Sequence, residues 1–134
     1  MADLFIVLTL LLWGIGAFIG KAVLKEATAI STYLLEAAGS LTVALLICLS
    51  FRKDFLSVFS HFNGWGYLFG ILWGVGTVTF IVALKYKPAS IVVPLTALYP
   101  LITALLAVIF LGEAITLKTS AGIVCAIMAA ILLG

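Results

Sequence analysis

The chain has 134 residues, of which 66% are hydrophobic and 9% are charged, and its mean hydropathy is +1.41. Soluble domains carry about 25% charged residues, so this chain has too few polar side chains to cover a surface in water. Seven basic and five acidic residues leave a net charge of +2, without the basic cluster that nucleic-acid binding requires. The composition therefore predicts a protein of the lipid bilayer and excludes a nucleic-acid partner.

Uncharged apolar stretches predict five membrane-spanning helices, because one span needs about 20 apolar residues. The expected spans are residues 4–24, 29–51, 64–84, 88–112 and 117–134. Residues 52–63 place phenylalanine and valine at three- and four-residue spacing behind three charged residues, which predicts an amphipathic connection in the membrane interface. The expected fold is an all-α bundle of five transmembrane helices that forms one domain, residues 1–134.

Two ionisable residues fall inside or near the first two spans. Glu36 is expected about five residues, or roughly 7 to 8 Å, into the second span, where a charged group is costly unless it faces a partner or a water-filled cavity. Lys21 lies near the end of the first span on the same side of the membrane. Two interpretations stay open: Glu36 binds a cation or a coupling proton, or it forms a structural ion pair with Lys21.

Glycines recur every fourth residue in the first and third spans: Gly16 and Gly20, then Gly66, Gly70 and Gly74. Small residues at this spacing let helices approach closely in lipid, where packing replaces the hydrophobic driving force. These glycines are therefore predicted to be helix-packing positions. The same smooth faces would also allow helices to slide past each other, and the pattern does not decide between the two uses.

The fourth span contains Pro94 and Pro100, each of which removes a backbone donor inside a helix and favours a kink. Interrupted membrane helices are tolerated where they are buried or line a cavity, and they often mark transporter binding sites. Tyr99, together with Trp13 and Trp73 of other spans, lies away from the span ends where aromatic belts form. We expect these aromatic side chains to line a cavity for an organic or cationic solute, with ordinary packing as the alternative.

The basic residues are divided almost equally between the two sides of the membrane. The side on which the chain begins has three basic residues: Arg52, Lys53 and Lys118. The other side has four: Lys21, Lys25, Lys85 and Lys87. Orientation normally follows such an imbalance, so the chain is predicted either to insert both ways or to need a partner that fixes its orientation. A single orientation with a weak bias is the alternative. Two inverted copies of an odd number of spans would form the inverted repeat of many transporters.

Residues for catalysis or metal binding are not found in a recognisable pattern. Cys48 and Cys125 lie in apolar runs without metal-ligand spacing, and the sequence contains neither a phosphate-binding loop nor a catalytic serine, histidine and acid set at membrane depth. We therefore expect no enzyme activity, no cofactor and no metal ion.

Motifs along the chain resemble a known transporter domain. Pro88-Ala89-Ser90, Val93-Pro94-Leu95, Tyr99-Pro100-Leu101 and Phe110-Leu111-Gly112-Glu113 are similar to the closing signature of the EamA domain in the drug/metabolite transporter superfamily. Trp13-Gly14, Lys21, Ala83-Leu84 and Gly122 agree with that domain in their order. One departure is Glu36, because many EamA repeats have an arginine near this position.

The resemblance covers nearly the whole chain as a single five-span repeat. Family members more commonly carry two repeats of opposite orientation, which enclose a cavity and move small organic solutes, often outward. The resemblance thus implies half of a ten-helix inverted-repeat transporter, completed by a second copy in a homodimer that is expected to be antiparallel.

We therefore expect a secondary transporter, an exporter of small organic metabolites or drugs, that works in the inner membrane by alternating access. Its candidate cavity residues are Trp13, Lys21, Glu36, Trp73, Pro94, Tyr99 and Pro100. Two alternatives stay open: a non-transporting membrane scaffold or accessory subunit, and a flippase for lipid-linked sugars. Convergence of the acidic and aromatic residues on one solvated cavity would favour the carrier.

Overall fold

A computed structural model describes residues 2–133, without the side chain of Leu133. All regular elements in this part of the chain are helical, so the predicted all-α fold class is confirmed. They are α1 (Ala2–Val23), α2 (Ala29–Ser50), α3 (Arg52–Ser60), α4 (Gly64–Tyr86), α5 (Ala89–Thr96), α6 (Tyr99–Leu111) and α7 (Leu117–Leu133). Met1 and Gly134, the two ends of the predicted domain, lie outside the described residues.

Four helical stretches are long and apolar enough to cross a membrane. They are α1, α2, α4 and the 23-residue stretch Ala89–Leu111, which α5 and α6 share. The 17 residues of α7 extend about 25 Å as a helix, which is less than the hydrocarbon thickness of about 30 Å. A fifth complete span therefore stays a prediction.

The chain divides into two compact units, Met1–Tyr86 and Lys87–Gly134. In the first unit, α4 contacts both α1 and α2. A capping box begins α2: Thr28 Oγ1 accepts a hydrogen bond from the backbone N–H of Ser31, and Ser31 Oγ accepts one from the N–H of Thr28, each at 3.1 Å. These bonds satisfy donors that a helix start leaves unpaired and fix the short turn between α1 and α2.

The buried residues of the first unit lie at one end of its helices. Leu24, Thr32, Ile81 and Leu84 are found where α1 ends, α2 begins and α4 ends. Most other large apolar side chains of this unit are exposed, which a bilayer tolerates because lipid is as apolar as they are. The three long helices are thus packed tightly at one end, and a groove opens between α2 and α4.

The second unit contains an interrupted helix. Pro94 lies inside α5, Pro100 is the second residue of α6, and Ala97 and Leu98 separate the two helices. Pro100 has no N–H with which to continue the α-helical ladder. One turn earlier, the Thr96 hydroxyl donates to the carbonyls of Val92 and Val93, at 2.8 and 3.1 Å. The fourth predicted span is therefore interrupted once, just before Pro100, whereas α5 continues through Pro94 and a kink there stays a prediction; α7 packs against α5.

Candidate functional site

One face of α2 carries the polar side chains of the groove. Tyr33, Glu36, Ala37 and Ser40 follow one another at helical spacing and all line the same cavity. Glu36 lies about 10 Å along the axis from Ala29, the first residue of α2, at 1.5 Å per residue. The Ser40 hydroxyl donates to Glu36 Oε1 at 3.0 Å. A carboxylate thus stands well inside the span and takes a neutral donor from its own helix.

The facing wall of the cavity is formed by α4. Phe69, Gly70, Trp73, Gly74 and Thr77 share one side of this helix, and the open groove has a volume of about 360 Å³. That volume lies within the range of small-molecule sites, roughly 300–1,000 Å³. Trp73 is near the middle of α4, so the groove extends to the middle of this helix.

The glycine face of α4 is part of this wall of the groove. A Cβ atom on Gly74 would lie 3.5 Å from the Tyr33 hydroxyl, whereas one on Gly70 would meet no described atom within 4 Å. A second cavity of about 430 Å³ continues along Gly66, Gly70 and Gly74. The face therefore contacts α2 at Gly74 and stays open beside it.

Gly16 and Gly20 of α1 are open as well. A Cβ on Gly16 or Gly20 would meet no atom of the described chain within 4 Å. Their predicted role in helix packing stays a prediction, which a second copy of the chain or a further surface would have to fulfil.

Aromatic rings join α1 to the wall of the groove. The ring centroids of Trp13 and Trp73 are 5.5 Å apart, and those of Phe69 and Trp73 are 5.7 Å apart. Both separations are typical of favourable aromatic pairs. The structure thus brings together three of the predicted cavity residues: Trp13 touches Trp73, and Trp73 lines the same cavity as Glu36.

Two lysines of the first unit bind the backbone at the buried ends of α1 and α4. The Lys21 ammonium donates to the Leu84 carbonyl. Lys85 Nζ donates to the carbonyls of Leu24 and Ala27, at 2.7 and 3.0 Å. We call these reciprocal contacts the lysine clamp. Within the described hydrogen bonds, Lys21 and Glu36 have different partners, so the ion pair considered from the sequence is not among them.

The remaining predicted residues belong to the second unit. Pro94, Tyr99 and Pro100 flank the break between α5 and α6, where the interrupted backbone is the feature that the sequence indicates. Their contribution to the cavity stays a prediction. In the part of the chain that the structure describes, no cluster of three or more metal-ligating side chains is found.

Some residues of the groove are absent from the sequence-based set. Tyr33 and Ser40 precede and follow Glu36 by three and four positions, a spacing that places all three on one helix face. Phe69 and Thr77 are each four positions from Trp73. Helical periodicity around the two predicted residues would have indicated these neighbours.

Comparisons with known proteins agree with the helical architecture. The model of the EamA-like transporter family matches residues 1–134. An uncharacterized protein of Methanocaldococcus jannaschii is 31% identical over 121 residues, which cover 90% of this chain and 87% of that protein. None of the solved structures matches the chain. The family match and the apolar helices make this a multi-pass membrane protein.

Proposed function

Because the chain belongs to the EamA-like transporter family, we propose that it is a secondary transporter of small organic solutes that works as a homodimer, with the groove between α2 and α4 as its binding site. The observation that carries the proposal is a carboxylate, Glu36, in a groove that reaches Trp73, near the middle of α4. Ionisable groups within spans are rare and functional as a rule. In this family, membrane transport is the function that such a site would serve.

The exposure of Glu36 supports a dimer. In the single chain this residue is exposed, although it lies about 10 Å from the start of its helix at 1.5 Å per residue. A carboxylate that faced hydrocarbon there would cost a few kcal/mol at least. A second copy that covers the groove would replace lipid with protein and enclosed water, so the site is complete only in the assembly.

Alternating access requires elements that change their packing. The break between α5 and α6 gives the second unit a discontinuous helix, as many carriers have, and the open glycine face of α4 offers little resistance to a helix that moves along it. The nearly equal distribution of basic residues supports an antiparallel pair, and we propose export across the inner membrane as its task.

The test is solute flux through purified protein in liposomes. Labelled amino acids, amines and lipophilic cations are supplied in turn, and the Glu36→Gln variant is compared with Glu26→Gln, which removes a carboxylate from the turn between α1 and α2, outside the groove. We expect saturable flux for one class of solute, at least tenfold slower with Glu36→Gln and unchanged with Glu26→Gln.

Two outcomes would contradict this function. If folded, dimeric protein moves no solute of any class, the chain is a scaffold or accessory subunit. If it moves lipid-linked sugars but no water-soluble solute, it is a flippase.

A further inference from the structure

We infer that the solute of the α2–α4 groove is a protonated organic amine with an apolar body. The inference rests on the proposed function in that it assigns a substrate class to the same groove. It begins from charge: Glu36 is the one charged side chain among the described residues that line the cavity. The lysines of this unit with described hydrogen bonds, Lys21 and Lys85, donate to backbone carbonyls in the lysine clamp.

Two hydroxyl groups of the groove, those of Ser40 and Thr77, offer acceptors to a ligand. Ser40 Oγ gives its proton to Glu36 Oε1 at 3.0 Å, and Thr77 Oγ1 gives its proton to the Trp73 carbonyl at 3.0 Å. A hydroxyl whose single proton is used in this way offers only lone pairs to a third molecule. These two acceptors lie on opposite walls of the groove, and the Tyr33 hydroxyl, which also lines it, can accept as well as donate.

Glu36 itself has capacity for a further donor. Its described hydrogen bond uses Oε1, and a carboxylate can accept about four hydrogen bonds on its two oxygens. An ammonium group carries up to three N–H donors and a positive charge, and charge-assisted bonds of this kind are about twice as strong as neutral ones. An anion, or a ligand that only accepts hydrogen bonds, would bring no donor to the Glu36 carboxylate or to the Ser40 and Thr77 hydroxyls.

The aromatic walls select the rest of the ligand. The ring of Trp73 contacts the rings of Phe69 and Trp13. The faces of aromatic rings attract cations and pack against apolar groups. A cavity of about 360 Å³ has room for a small aryl or alkyl amine. Carboxylate, acceptor hydroxyls and aromatic rings thus favour a ligand that is a donor at one end and apolar at the other.

A charge series on the unaltered protein tests this directly. Equilibrium dialysis in lipid nanodiscs measures the binding of 2-phenylethylamine, 2-phenylethanol and phenylacetate, which share a phenyl group and differ in charge. We expect the amine to bind at least tenfold more tightly than either of the others. Equal affinity for the three probes, or preference for the acid, overturns the inference.

Variants then locate the site. Glu36→Gln should weaken amine binding at least tenfold, whereas Glu26→Gln should leave it unchanged, with size-exclusion chromatography as the check that each variant is folded. Unchanged amine binding by folded Glu36→Gln also overturns the inference. If liposomes transport another solute and the amine does not bind, the substrate class is wrong and transport stands. If the amine binds but no solute moves, the proposed transport fails and the binding site stands.

Discussion

Replacing Lys85 with Met removes the ammonium group that joins the end of α4 to the end of α1. The side chain donates two hydrogen bonds, of 2.7 and 3.0 Å, to carbonyls that follow α1. Bonds that involve a charged group contribute about 1.5–3 kcal/mol each. Because Lys85 is exposed to water, which replaces much of the lost bonding, we reduce this sum to about 2 kcal/mol. A loss of that size changes the folded-to-unfolded ratio about 30-fold.

Chemical unfolding in detergent micelles, followed by tryptophan fluorescence, measures this loss. Lys25→Met is the matched control, since Lys25 is exposed and lies in the same turn as the carbonyls, and it should change the free energy of unfolding by less than about 0.5 kcal/mol. Lys85→Arg keeps donors at this position and should recover part of the loss. Equal unfolding free energies for Lys85→Met and Lys25→Met would refute the reasoning, because they would mean that water serves the carbonyls as well as the ammonium does.

Three further predictions concern the glycines and the orientation of the chain. Gly112 follows α6 with φ +67°, so Gly112→Ala should lower the free energy of unfolding by about 1 kcal/mol. Gly122→Ala, inside α7, is the control and should not lower the free energy of unfolding. Similar losses for the two variants would contradict this explanation. Gly70→Ala should preserve transport, because a Cβ atom there meets no described atom within 4 Å. Gly70→Leu should reduce solute flux at least tenfold, because the larger side chain fills the groove. Normal flux through the Gly70→Leu variant would mean that the solute binds elsewhere. Reporters fused to the carboxyl terminus, one active only in the cytoplasm and one only outside, should both give signal, and signal from one alone would exclude dual insertion.

The sequence predicts the helices well because their signal is local. Long uncharged stretches have few alternatives to a helix in lipid, where every backbone group must be paired within its own segment. The break in the fourth span is harder to locate. Pro94 and Pro100 indicate two kinks, but the structure has one break, at Ala97 and Leu98 just before Pro100, and α5 continues through Pro94.

The groove depends on non-local packing and is only partly visible in the sequence. Glu36 is conspicuous because a charge in a span is costly, and Trp73 because it is far from the span ends. These two residues line one cavity because of the way α2 packs against α4. That packing cannot be predicted from the sequence of either helix alone. Lys85 is a second example. The sequence predicts only a positive charge near the end of a span, whereas the carbonyls that its ammonium binds are known only from the packing of α4 against α1.

The most direct measurement of the central claim is water access to the groove. In a background with Cys48→Ala and Cys125→Ala, Ser40→Cys and Leu41→Cys are compared for reaction with a membrane-impermeant maleimide, in proteoliposomes with and without a transported solute. A thiol reacts as its thiolate, which requires water. Ser40 lines the groove, and Leu41, at nearly the same depth, is an exposed apolar residue outside it.

The proposed transport site predicts rapid labelling of Ser40→Cys, protection of that cysteine by the solute, and slow labelling of Leu41→Cys whether or not the solute is present. Equal labelling of the two cysteines, or labelling of Ser40→Cys that no transported solute slows, would contradict a solute-binding groove between α2 and α4.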